Sequence, residues 1–122
     1  MTRTEIILLL TKMMYENNLI WGKETGCVVD SNTFKDIPIK KQASLMVALE
    51  RAAFRTGKEQ LSLIEQHKEW MITAPENHPS NKPYEDLSFE ERVKDVLFKN
   101  FAVMLAEILS LEEDSQCVNS RD

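Results

Sequence analysis

Trp21, Trp70, Tyr84 and Phe89, with Lys40, Lys41, Lys82, Arg92 and Lys94 near them in the chain, are the residues whose types could together do chemistry. Aromatic faces stack on bases, and lysine and arginine hold phosphates. A nucleotide-sized pocket is therefore chemically feasible where these residues flank loops. The structural alternative is that Trp70 and Tyr84 pin a long loop onto the helices while the lysines stay solvated. Composition and spacing leave both readings open.

Other chemistries find less support. Zinc needs three or four well-placed nitrogen or sulfur ligands. Neither Cys27 nor Cys117 has a ligand-like spacing to His67 or His78, so no metal is expected. His67 lies four residues after Leu63 and three before Trp70, the place of a helix residue at the edge of a core. Glu85, Asp86, Glu90 and Glu91 could serve acid–base chemistry or a cation. A turn followed by a helix cap explains them more simply. No nucleophile elbow, glycine-rich phosphate loop or HExxH pattern is present, and the chain holds 3 glycines. The expectation is a protein that is not an enzyme and carries no cofactor.

The 122 residues, 43% hydrophobic and 29% charged, suffice for one domain with its own core. A net charge of −5 argues against non-specific nucleic-acid binding, although Glu112, Glu113, Asp114 and Asp122 hold much of that excess. Two unclustered cysteines make no disulfide framework, and reduced thiols in a cytoplasm are the default. The apolar run 6–10 is far shorter than the roughly 20 residues of a membrane span. A soluble cytoplasmic protein is expected.

Apolar periodicity predicts the elements that must position these residues. A first helix over 4–20 carries Ile6, Leu9, Leu10, Met13 and Met14, with Thr2 or Thr4 to cap it and Gly22 and Gly26 to end it. A loop follows to about residue 34, whose Cys27-Val28-Val29 triplet could be briefly extended. Asp36 is the expected cap of a second helix with Pro38 in its first turn. Ile39, Ala43, Met46, Val47, Leu49, Ala53 and Phe54, with Leu45, Ala48 and Ala52 around them, place that helix centrally. A third, weaker helix runs over 59–72. Pro75, Pro79 and Pro83 then exclude helix across 74–87. Ser88-Phe89-Glu90-Glu91 is a capping box for a fourth helix whose apolar period, Val93 to Ile108, lasts to about residue 111. The fold class expected is all-α: a compact bundle of about four helices, with a long proline-rich loop before the C-terminal one. Residues 1–111 form the single domain, residues 112–122 a flexible acidic tail, and no internal repeat is evident.

Several of these residues resemble a known pattern. Trp70, His78-Pro79, Pro83-Tyr84-Glu85-Asp86-Leu87, Glu90-Glu91 and Lys94-Asp95-Val96-Leu97-Phe98 look like the Ry repeat of ryanodine receptors, in the small stand-alone form found in bacteriophages and bacteria. Phe34-Lys35-Asp36-Ile37-Pro38 with Gln42-Ala43-Ser44, and Asn17-Asn18 before Trp21, add weaker likeness. The family's GWxYG-like stretch is missing here, since only seven residues separate Trp70 from His78. The resemblance implies a non-enzymatic, phage-type binding protein that sequesters or senses a nucleotide-like immune signal, cyclic or derived from NAD, in the host cytoplasm if phage-encoded. The contacts would be Trp70 and Tyr84 for stacking, with His78, Lys82 and Arg92 for phosphate or ribose hydroxyls. The alternative is an interaction module or homo-oligomer that binds a host or virion protein, through exposed Met13 and Met14 or through Val103 and Met104.

Overall fold

In a computed structural model, which describes residues 1–27, 32–58 and 62–120, the chain is all-α. The first helix, α1 (Arg3–Thr25), starts at a reciprocal cap. The Thr2 hydroxyl accepts from the Glu5 N–H at 3.1 Å, and the Glu5 carboxylate accepts from the Thr2 N–H at 3.1 Å. The helix ends at Gly26, whose φ of 76° only glycine adopts without strain. Gly22 does not end it, contrary to the sequence expectation, and lies buried within it. A mid-helix glycine costs about 1 kcal/mol. Packing of Leu19 and a hydrogen bond from the Trp21 indole to the Glu90 carbonyl, at 2.8 Å, offset that cost. Val28 and Val29 of the triplet lie outside the described residues.

Helix α2 (Ile39–Lys58) is entered through a 3₁₀ turn at Phe34–Asp36. Asp36 belongs to this turn and accepts from the Thr33 hydroxyl at 2.6 Å, so it does not cap α2. The Pro38 carbonyl instead receives the first N–H groups, from Lys41 and Gln42. Helix α3 (Leu63–Thr73) begins at Ser62, whose hydroxyl accepts from the Glu65 N–H. A second 3₁₀ turn at Tyr84–Asp86 leads to α4 (Phe89–Ser120). Its capping box is formed: Glu91 N–H to Ser88 Oγ and Ser88 N–H to Glu91 Oε1, both 3.2 Å. Ser88→Ala removes one side of that box and should cost about 1 kcal/mol in urea unfolding. The helix runs on to Ser120, past the expected boundary near residue 111, because a formed ladder adds one hydrogen bond per residue without needing an apolar face.

The principal core joins Ile7, Leu10 and Met14 of α1, Leu49 and Ala53 of α2, and Phe101, Ala102, Leu105 and Leu109 of α4. A second cluster, Tyr15, Leu19, Phe34 and Ile37, seals the α1–α2 connection. The central helix is α4, which packs on all three others; α2 has its most extensive neighbour in α4 and also packs on α1, so it is covered on more than one side as expected. Its wide apolar face is divided, with Leu49 and Ala53 inward and Ile39 (81% exposed), Val47 and Phe54 outward. The Trp21–Glu90 bond sets the C-terminal end of α1 beside the start of α4. Arg3 pairs with Glu50 at 3.3 Å, and Arg55 pairs with Glu69 across to α3. Among the described residues no helix is long and apolar enough to cross a membrane.

A local repeat emerges that the sequence does not advertise. Phe34-Lys35-Asp36-Ile37 enters α2 as Tyr84-Glu85-Asp86-Leu87 enters α4: an aromatic, a 3₁₀ turn ending in aspartate, then a buried aliphatic. In each, a side chain of the following helix ties down the turn's backbone. Gln42 donates to the Phe34 and Ile37 carbonyls at 3.0 and 3.1 Å, and Arg92 donates to the Glu85 carbonyl at 2.9 Å. In each, an aromatic ring of the preceding helix meets the turn's aromatic edge-on, Tyr15 against Phe34 and His67 against Tyr84. The described residues thus make two helix–turn–helix hairpins, α1 with α2 and α3 with α4.

Candidate functional site

Residues 74–88 form a chain of tight turns rather than a slack loop. The His78 N–H donates to the Pro75 carbonyl, Asn81 N–H to His78, and Asp86 N–H to Pro83, at 2.9–3.0 Å. Pro79 occupies the second position of the middle turn, where its fixed φ is already correct. The Asn81 amide reaches the Pro75 carbonyl at 3.0 Å and, at longer range, those of Ala74 and Met71, so the loop covers the open C-terminal end of α3.

Beneath this loop lies His67. It is 2% exposed, not at the edge of a core, and it organises the aromatic residues around it. Trp70 stacks on its ring with centroids 5.4 Å apart, and Tyr84 meets it edge-on at 6.1 Å. His78 stands edge-on to Trp70 at 5.0 Å, and the Arg92 guanidinium lies over Tyr84 at 5.1 Å. His67 Nε2 is 2.7 Å from the Lys82 carbonyl, and Nδ1 is 3.2 Å from Asp95 Oδ2 on α4. The latter is an ion-pair approach off the line of a straight hydrogen bond. Burial pushes the Asp95 carboxyl up from its usual range, with His67 opposing that rise. The Gln66 amide, donating to the Asp95 carbonyl at 2.9 Å, holds α3 to α4 beside the pair.

Four of the five expected contact residues, Trp70, His78, Tyr84 and Arg92, are thus brought into one stack. Their faces are occupied largely by one another, with Trp70 still 37% exposed. The fifth, Lys82, turns outward into a cleft of about 220 Å³ lined also by Gly26, Cys27, Ser80, Ser88, Glu91 and Lys94. Glu91 organises this cleft. Its carboxylate accepts from the Ser80 hydroxyl at 2.7 Å and lies 3.5 Å from Lys82 Nζ. Burial raises the Glu91 carboxyl, but Ser80, Ser88 and Lys82 outweigh burial and hold it below the usual range. His78 is held below its ordinary value by burial and by Lys94, with Lys41 of α2 adding to them against Glu91. Its Nδ1 accepts the Ser80 N–H at 3.1 Å, which fits a neutral ring. Lys82 of the loop and Lys94 of α4 therefore line the cleft, and Lys41 of α2 is near enough to His78 for its charge to be felt there.

Sequence reasoning assigns Ser80 no role, Asp95 only a place in the Ry-like pattern, and His67 only the edge of a core. Glu91, which reads as a cap or as one of four acidic residues, has two further partners in the loop. The spacing of His67 and Trp70, three apart on a helix, was the available signal. The Asp95 partner is not legible without the packing of α3 on α4. Among the described residues no group of histidine, cysteine and acidic side chains could hold a metal ion. Compared with known proteins, the chain matches no family model, no curated protein and no solved structure.

Proposed function

We propose that the chain is a non-catalytic binding module whose cleft takes the phosphorylated end of a small nucleotide-like ligand. The observation that carries this reading is the cleft wall itself, where Lys82 and Lys94 stand with Glu91 and the hydroxyls of Ser80 and Ser88. Lysine is a point-charge donor for phosphate, and the Ser88 hydroxyl, which accepts from the Glu91 N–H, keeps its own hydrogen to donate. At about 220 Å³ the cleft is smaller than the roughly 300–1,000 Å³ of drug-sized pockets, so it fits a phosphate and ribose rather than a whole dinucleotide. The remainder would lie along Trp70, the most accessible ring of the stack. The Ry-repeat resemblance of residues 78–98 favours the same class of ligand, a cyclic nucleotide or an NAD-derived signal held by a phage-type protein.

Catalysis is not favoured by these residues. The Ser88 hydroxyl is engaged in capping α4, and the Ser80 hydroxyl donates to a carboxylate whose lowered pKa makes it a weak base. The test is a thermal-shift and calorimetric screen with ADP-ribose, cyclic dinucleotides and inorganic phosphate. A ligand at 100 times its Kd should stabilise the fold by about 2.7 kcal/mol. Lys82→Ala combined with Lys94→Ala should weaken binding by about tenfold or more and flatten its salt dependence, since one charge-assisted contact is worth about 1.5 kcal/mol or more. No stabilisation by any of these compounds would rule out the ligand reading.

A second reading, an interaction surface for another chain or a second copy, has one observation behind it. Leu9, Met13 and Ile20 stand exposed on the outer side of α1. Met14 does not belong to that surface, because it is 2% exposed in the principal core. Val103 is half-buried, while Met104 is exposed on α4. Light scattering of Met13→Glu against the parent chain decides it: a fall from oligomer to monomer supports this reading, and a parent chain already monomeric rejects the homo-oligomer.

A further inference from the structure

The cleft and the buried histidine are joined through a single residue. Lys82 turns its carbonyl inward to His67 and its ammonium outward to Glu91 and the cleft. His67 is too deeply buried to touch a ligand, so whatever it does to the cleft it does through Lys82. We propose that His67 is the positioning residue of the cleft: the proton it shares with Asp95 locks its ring, the ring holds the Lys82 carbonyl, and the locked loop presents the Lys82 ammonium to a phosphate. This rests on the phosphate reading of the cleft.

The hydrogen count follows from the partners. A carbonyl oxygen only accepts, so Nε2, at 2.7 Å from the Lys82 oxygen, carries a hydrogen. Nδ1 then faces Asp95 Oδ2 at 3.2 Å, and neither atom has another hydrogen-bond partner. Two bare lone pairs at that distance in a buried site would repel, so a proton lies between them, on the ring or on the carboxyl. The pair therefore holds two protons, and the second keeps Asp95 from pushing the ring away. Trp70 on one face and Tyr84 at the edge close the site, and Tyr84 also opens the 3₁₀ turn two residues beyond Lys82. The loop consequently leans on this ring twice. The ionisable groups that act on the pair are Glu91 and Lys94 on α4, with His78 against Trp70 and Arg92 over Tyr84 beyond the two rings. Removing the shared proton as pH rises leaves a carboxylate against a lone pair and should loosen the loop.

The proposal is tested by measuring ADP-ribose affinity and loop amide exchange together in His67→Gln, His67→Asn and Asp95→Asn. Gln places an amide donor where it can reach the Lys82 carbonyl; the shorter Asn cannot. His67→Gln is expected to bind within about threefold of the parent, and His67→Asn about tenfold or more weaker with faster exchange at Ser80 and Lys82, the loss of about one hydrogen bond. Parent affinity should fall as pH rises through the raised value of the Asp95 carboxyl, and Asp95→Asn, which removes that titration, should flatten the fall. Equal affinity in the Gln and Asn variants with unchanged loop exchange would overturn the positioning role while the cleft reading stands. A parent chain that binds neither ADP-ribose nor inorganic phosphate overturns the cleft reading and this proposal with it, even where His67→Asn still speeds exchange. Should His67→Asn fail to fold, a parent affinity with the same pH dependence as that of Asp95→Asn overturns the proposal equally.

Discussion

Leu105→Ala is expected to lower the free energy of unfolding by about 3–4 kcal/mol, seen in urea melts as a lower midpoint with an unchanged slope. Leu105 is 0% exposed and sits where α1, α2 and α4 meet, among Leu10, Leu49 and Phe101. Truncation there removes the transfer energy of the lost carbons and leaves a cavity that three helices cannot easily close together. The control is its neighbour on the same helix. Met104 is exposed, and Met104→Ala should change stability by no more than about 0.5 kcal/mol. Similar losses at both positions would mean that α4 is not the central helix.

The second large effect lies at the buried pair. His67→Ala is expected to cost about 3–5 kcal/mol, because it strands Asp95 without its partner and opens a hole beneath Trp70 and Tyr84. Its pH dependence has a definite sign. The Asp95 carboxyl is raised in the folded chain by burial, so its contribution is fully present below the ordinary carboxylate value and declines as pH rises through the raised one. Without His67 nothing nearby opposes that rise as strongly, so the gap between parent and variant should widen from acid toward neutral pH. His78 and Glu91, both lowered, act oppositely: their contributions are present above their ordinary values and are lost as pH falls through the lowered ones. They do so in both proteins and largely cancel in the difference. A gap that narrows toward neutral pH would show that Asp95 is not a buried, His67-dependent group.

Local signals were read well where they were self-contained. The Ser88–Glu91 box, the apolar period of α4 and the proline-punctuated loop depend on residues a few positions apart, and each forms as its chemistry dictates. Readings that needed a neighbour fared worse. Ile39, Val47 and Phe54 give α2 an apolar face wider than the core it meets; α2 does pack on both α1 and α4, but the helix that touches all the others is α4, which its own periodicity does not reveal. Gly22 looked like a stop because the Trp21 tie to Glu90, across 69 residues, was invisible. The site divides in the same way. Trp70, His78, Lys82, Tyr84 and Arg92 do converge, since the loop returns over α3, but the ring that gathers four of them is His67. A histidine between Leu63 and Trp70 on one helix gives no hint that Asp95 faces it from another.

The most direct test of the proposal that the cleft takes a phosphate is amide-resolved NMR of the parent chain titrated with ADP-ribose, with inorganic phosphate as the minimal probe. The expected result is a set of shifts concentrated at Gly26, Ser80, Lys82, Ser88 and Lys94, saturating with ADP-ribose and reproduced in part by phosphate. Saturable shifts confined to the outer side of α1, around Leu9, Met13 and Ile20, or no saturable shifts at all, would contradict it.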